Sequence, residues 1–227
     1  MVEDRELRAR LEALDAASLC DGASRAGVAV GVVDPSIDLI SAGTKLIGRA
    51  RPVVCDVDFL EVFKALSEAG EGEALLIEAP SGRAVAGELF ANEARRRGLA
   101  GIVVDGLVRD VATLRKMDFP VFAKGTTPQA GTLQAARGGV QAASIGGAVA
   151  VRGDLVFGDE DGVVIISEDK LDDILPVAEE IQRTEGAILE AIKQGRNLFA
   201  YTNLEYHYRK RADRLPSELS IDPPPEP

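Results

Sequence analysis

The chain has 227 residues, of which 46% are hydrophobic and 28% charged, with 4% aromatic and no tryptophan. This is ordinary globular composition for one domain with an aliphatic core, and it excludes a disordered chain, a collagen and a disulfide mini-protein. The formal net charge of −11 offers no field to attract phosphate backbones or an anionic bilayer surface, so neither nucleic acid nor membrane is an expected partner.

Residues 3–19 read as an amphipathic helix with Leu7, Leu11 and Leu14 on one face. A strand is predicted over 45–57. Next come a helix over 58–69 begun by Asp58 and a short apolar strand over 73–79 that Pro80-Ser81-Gly82 ends. Residues 87–97 are predicted helical, with Gly98 as the C-terminal stop. Ala100 to Val104 is a continuous apolar run, the mark of a strand buried on both faces. A short helix over 110–116 and a strand over 120–123 follow. This repeated strand–helix spacing predicts parallel strands covered by helices.

From 138 to 168 the chain is rich in Gly and β-branched residues. Turn signals fall at Gly146-Gly147, Arg152-Gly153-Asp154 and Glu160-Asp161-Gly162, so short strands joined by tight turns are expected. A long helix is predicted over 169–194, stopped by Gly195, and a second, charged helix over 203–213. The fold class is therefore α/β, a layered sandwich. It has a mixed, largely parallel sheet under helices, a β-rich third quarter and a long C-terminal helix. Residues 1–215 are expected to form one domain, and the Pro-rich stretch 216–227 a disordered tail.

Cys20 and Cys55 are too few for a disulfide framework and read as thiols of a reducing compartment. The first ten residues lack the apolar core of a signal peptide, and runs such as 101–104 are too short to span a bilayer, so a cytoplasmic protein is expected. The lone histidine, His207, excludes a three-His or HExxH zinc site. With so few nitrogen or thiolate ligands, any metal should be a hard cation held by carboxylates and water.

The chemistry-bearing residues concentrate between Gly87 and Gly125. Gly87-Glu88-Leu89-Phe90 opens a helix: the glycine permits close approach to the backbone, and the N–H groups of Leu89 and Phe90 can hold a carboxylate. Arg109 and Asp110 follow the buried strand, where ligands of open α/β sheets bind. They form an anion clamp beside a metal-capable carboxylate. A plainer account stands next to this one, in which Glu88 complements the helix dipole and Asp110 begins a helix. The spacing Gly82-x4-Gly87 is that of a P-loop, but Glu88 stands where the phosphate-binding lysine belongs. Asp159-Glu160-Asp161-Gly162 lacks the rest of a calcium loop and reads as a hairpin turn.

Residues 87–125, together with the block from Gly146-Gly147 through Val163-Val164, resemble the RraA-like family. That family holds the regulators of ribonuclease E activity and the class II 4-hydroxy-4-methyl-2-oxoglutarate aldolases. The resemblance spans roughly residues 10–195. The aldolases carry an acidic residue, twenty intervening residues and then Arg-Asp; here Glu88, Leu89 to Val108 and Arg109-Asp110 keep that spacing. The first acid is Asp in the aldolases and Glu here. The resemblance implies that Asp110 binds Mg²⁺ or Mn²⁺ directly, and that Arg109 holds the 2-oxo oxygen and stabilises the enolate. It implies that Gly87 and the N–H groups of Leu89 and Phe90 receive the pyruvyl carboxylate, and that Glu88 orients metal-bound water. Glu185 on the long helix matches an acid contributed through water from a neighbouring subunit of a homotrimer or hexamer.

The implied activity is metal-dependent cleavage of a 4-hydroxy-2-oxo acid to pyruvate, with oxaloacetate decarboxylation as a side activity. The alternative is a protein-binding regulator of ribonuclease E activity. Retention of Asp110 and the long C-terminal helix favours the enzyme. Lys45 and Lys124 lie near predicted strands, but neither carries a feature that marks a Schiff-base lysine. A methyltransferase has no support, since no glycine-rich S-adenosylmethionine loop follows the first strand.

Overall fold

A computed structural model describes residues 5–42, 45–134 and 138–222. The helices are α1 (Arg5–Glu12), α2 (Ala16–Ala26), α3 (Leu60–Glu68), α4 (Glu88–Arg96), α5 (Val111–Leu114), α6 (Leu171–Lys193) and α7 (Leu204–Ala212). The strands are β1 (Gly31–Val32), β2 (Asp38–Leu39), β3 (Leu46–Val54), β4 (Glu73–Glu78), β5 (Ala84–Ala86), β6 (Gly101–Val108), β7 (Val121–Thr126), β8 (Ala142–Ile145), β9 (Ala148–Val151), β10 (Leu155–Asp159) and β11 (Gly162–Ile166). The mixed α/β class expected from the sequence is what the chain adopts.

One mixed sheet runs in the order β1-β11-β10-β3-β4-β6-β7-β2. The β3-β4-β6-β7 centre is parallel, and β10, β11, β1 and β2 pair antiparallel around it. Strand alternation sorts the side chains into layers. Ala74, Leu76, Val103, Phe122, Val156, Val163 and Ile165 point to one face, where the β8–β9 hairpin covers them. Leu75, Ile77, Ile102, Val104, Val121 and Ala123 point to the other, under α3, α4 and α5. Leu155, Phe157, Val164 and Ile166 lie on that same helical face, under α1, α2 and α6. The helices therefore share one side of the sheet and the hairpin takes the other. Gly146 and Gly147, at φ +52° and +80°, turn that hairpin in the left-handed region that two-residue hairpin loops require.

The predicted helix over 3–19 is two helices. Asp15 breaks it: its carboxylate accepts hydrogen bonds from the Ser18 amide (2.7 Å) and hydroxyl (2.6 Å), capping α2. Leu11 and Leu14 are still buried as the pattern required. Lys45 spans the junction, donating to the carbonyls of Glu12 and Leu14. Its amine is thus engaged by backbone rather than presented to a cleft. Cys20 is half-buried, Cys55 is buried, and no disulfide joins them. Part of the tail expected to be disordered is described. Residues 216–222 run back along the start of α7, where Asn203 accepts from the Ser220 amide and donates to the Glu218 carbonyl. Ser217 lies 3.1 Å from Nδ1 of His207. Residues 223–227 lie outside the described residues. No helix among the described residues is long and apolar enough to cross a membrane.

Candidate active site

Strand β5, which sequence reasoning missed, positions the site. Strand β6 is long enough to serve two partners in succession on one edge. Residues 74–78 of β4 pair with 101–105, and then Ala84 and Ala86 of β5 pair with Leu107 and Val108. The Arg109 amide extends that pairing by donating to the Ala86 carbonyl at 3.1 Å. The ends of β5 and β6 therefore lie side by side. Gly87, which follows β5, meets Arg109-Asp110, which follows β6.

The approach is close. A Cβ on Gly87 would lie 2.6 Å from Asp110 Oδ2 and 2.9 Å from Arg109 Cγ. Gly87 has extended backbone, with φ −172°, so its role is space rather than left-handed geometry. The room it leaves is taken by the Asp110 carboxylate itself, where the sequence had suggested a ligand. Oδ2 of Asp110 accepts from the Glu88 amide at 3.2 Å and lies 3.5 Å from Arg109 Nε. Asp110 adopts φ +60°, ψ +34°, a left-handed conformation that L-residues other than Gly occupy at a cost and that concentrates at functional sites.

The first intrahelical bond of α4 runs from the Ala91 amide to the Gly87 carbonyl at 3.0 Å. The N–H groups of Leu89 and Phe90 thus belong to the open first turn, where helix termini attract anions. Gly87, Leu89, Phe90, Arg109 and Asp110 line one open cleft. Its remaining wall is apolar and includes Phe59, Val85, Ala86 and Ala130. The ring of Phe90 packs edge-on against Phe59 at 5.8 Å and Phe63 at 5.6 Å.

Five of the seven site residues named from the sequence thus converge. Glu88 reaches Asp110 through its backbone amide, and its side chain is not among those lining the cleft. Glu185 is exposed on α6, the helix that covers the antiparallel half of the sheet, and it does not line the cleft of its own chain. The cleft residues that sequence reasoning overlooked are Phe59, Ala84, Val85, Ala86 and Ala130. The signal for Val85 and Ala86 was the three-residue apolar run between Arg83 and Gly87. Lys124 forms an ion pair with Asp105 on the hairpin side of the sheet.

Oδ1 of Asp110 meets no hydrogen-bond donor among the described residues, and the side chain is 36% exposed. Among those residues no three His, Cys, Asp or Glu gather as a metal cage. One accessible carboxylate oxygen suits a cation such as Mg²⁺, which keeps several waters and takes one or two protein carboxylates.

Comparison with known proteins agrees with this architecture. The RraA-like family profile, described as Aldolase/RraA, matches residues 16–165. A protein of Halalkalibacterium halodurans, provisionally named 4-hydroxy-4-methyl-2-oxoglutarate aldolase, is 35% identical over 161 residues, covering 69% of this chain and 76% of that protein. The structure of Streptomyces coelicolor RraAS2 is described as an unusual member of the RNase ES inhibitor RraA protein family. It superposes with a TM-score of 0.70 at 26% identity, covering 81% of this chain and 96% of that one. A Geobacillus kaustophilus structure titled S-adenosylmethionine: 2-dimethylmenaquinone methyltransferase gives 0.64 at 28% identity, covering 70% and 98%. The chain belongs to the RraA-like family.

Proposed function

We propose that this protein is a divalent-cation-dependent lyase that releases pyruvate from a 4-hydroxy-2-oxo acid, with oxaloacetate decarboxylation as a side activity. The observation that carries this reading is the convergence of Arg109, a strained Asp110 and the open first turn of α4 on one cleft. Asp110 would hold Mg²⁺ or Mn²⁺ through its outward oxygen, and the bound cation would supply Lewis-acid polarisation of the substrate's keto and carboxylate oxygens. The N–H groups of Leu89 and Phe90 receive the substrate carboxylate. Arg109 stabilises the negative charge that gathers on the 2-oxo oxygen as the C3–C4 bond breaks, where a preorganised cation acts most strongly. Glu88, whose side chain lies outside the lining of the cleft, would orient the water that takes the 4-hydroxyl proton. Glu185 would serve a neighbouring subunit's site in a homotrimer or hexamer.

The test is pyruvate release from 4-hydroxy-4-methyl-2-oxoglutarate and from oxaloacetate, coupled to lactate dehydrogenase, with Mg²⁺, Mn²⁺ or EDTA. Turnover should need the cation. It should fall by about 10³-fold or more in Arg109→Ala, the scale of losing a group that stabilises developing charge, and vanish in Asp110→Ala. Unchanged turnover in both variants refutes the site.

The likeness to the Streptomyces protein favours a second reading, a protein-binding regulator of an RNA-degrading enzyme that works through the acidic surface. It predicts ribonuclease inhibition that survives Asp110→Ala.

A further inference from the structure

The cleft is chemically lopsided. Its charged groups, Arg109 and Asp110, stand beside the open turn of α4, and the other side chains that line it are hydrocarbon. Phe59 and Phe90 meet edge to face within that hydrocarbon wall at 5.8 Å and 69°, leaving aromatic surface toward the cleft. Ala84, Val85, Ala86 and Ala130 complete it, and Leu89, 72% exposed, stands at the rim. A 2-oxo acid engaged through its carboxylate and keto oxygens at the charged groups leaves its C4 substituent against this wall.

A carboxylate placed there would lose water without gaining a cation or a donor from the hydrocarbon side chains of that wall, an unfavourable exchange in an apolar setting. An aryl or branched alkyl group would instead bury its own surface and meet ring edges at favourable geometry.

We infer that the substrate is a mono-anionic 4-hydroxy-2-oxo acid with an apolar C4 substituent, rather than a dicarboxylate, and that Phe59, Phe90 and Leu89 set this preference. The inference rests on the lyase reading above. With a phenyl substituent the reaction balances without a further reactant. The C3–C4 bond breaks, its electron pair passes to the pyruvate enolate, and the 4-hydroxyl loses its proton as benzaldehyde forms. A proton returned to C3 then gives pyruvate.

The experiment compares kcat/KM for pyruvate release from 4-hydroxy-2-oxo-4-phenylbutanoate, 4-hydroxy-5-methyl-2-oxohexanoate and 4-hydroxy-4-methyl-2-oxoglutarate, with oxaloacetate as the reference for the lyase site. At least one apolar substrate should exceed the dicarboxylate by tenfold or more. Leu89→Arg, which keeps the Leu89 amide but puts a cation at the exposed rim, should narrow that ratio by tenfold or reverse it. A dicarboxylate preference in the wild type overturns the inference and leaves the lyase reading intact. Pyruvate from oxaloacetate alone also overturns the inference, and of the lyase reading it leaves only the enolate-forming site. No pyruvate from any of the four overturns both.

Discussion

Gly87→Ala separates the site from the fold that carries it. The new methyl carbon would stand 2.6 Å from Asp110 Oδ2 and 2.9 Å from Arg109 Cγ, where ordinary contact begins at 3.4 Å. Since the backbone at Gly87 is extended, alanine incurs no conformational strain, and relief must come from the two side chains. Asp110 has to retreat by about 0.8 Å, which also weakens its bond from the Glu88 amide. A misplacement near 1 Å in a positioned group costs about 10²-fold in rate, or about 2.7 kcal/mol in the barrier. Stability should suffer far less. The Asp110 and Arg109 side chains are 36% and 42% exposed, so they yield more easily than a packed core, where overpacking costs about 1–3 kcal/mol. A loss under about 1 kcal/mol lowers Tm by no more than about 2–4 °C at this chain length. The assay is kcat/KM for pyruvate release beside a thermal melt of the same sample. Wild-type kcat/KM would refute the reasoning, because the clash is unavoidable if Gly87 and Asp110 stand as described. A large fall in Tm that tracks the lost activity would refute the claim that the effect is local.

Asp110→Gly and Asp110→Ala should both abolish turnover but differ in stability. Glycine accepts φ +60° freely, so its variant should be more stable than the alanine variant by about 1 kcal/mol in chemical denaturation. Equal stability would mean the left-handed backbone relaxes. Asp15→Ala removes the α2 cap and should cost about 1 kcal/mol by the same measurement. Burial pushes the Asp15 carboxyl up, but the Ser18 hydroxyl and amide, with Lys45, pull it below the ordinary aspartate range. A depressed folded pKa means the stabilisation is complete above the unfolded value and lost as pH falls through the folded one. The Asp15→Ala penalty should therefore shrink in acid, and a penalty that grows below pH 4 would contradict the assignment. Lys45→Ala should loosen the α1–α2 junction yet keep pyruvate release, and borohydride with pyruvate should not inactivate the wild type. Inactivation would indicate a Schiff base.

The sequence was most legible where one interaction dominates. The β-rich quarter followed from its β-branched residues and from Gly146-Gly147, because a two-residue turn leaves one register. The run at 100–104 marked a buried strand, but β6 continues to Val108, since Asp105 and Gly106 interrupt the apolar pattern without ending the pairing. The break at Asp15 was present in the sequence as a capping residue three positions before Ser18. Hydrophobic periodicity, which Leu14 continues across the break, outweighed it. Strand β5 was hidden for another reason. Three residues carry almost no periodicity, and Ala84-Val85-Ala86 is a strand only because Leu107 and Val108 lie beside it.

The same nonlocal pairing explains which parts of the site could be read in advance. Arg109, Asp110 and the α4 turn were visible as local motifs, because each follows a recognisable boundary. That Gly87 accommodates the Asp110 carboxylate could not be read from either motif, as it depends on β5 and β6 ending in register. The strain at Asp110 then has a structural support. Its backbone carbonyl accepts from Thr113 at 3.0 Å and from Leu114 at 3.2 Å, while its side chain is anchored on the Glu88 amide. These contacts oppose relaxation of the left-handed backbone and keep Oδ1 facing outward. A residue serving only to begin the four-residue α5 would cap it from its side chain with ordinary extended backbone. Asp110 makes no such cap, and this weighs against the plainer account of Asp110 as a helix-start residue.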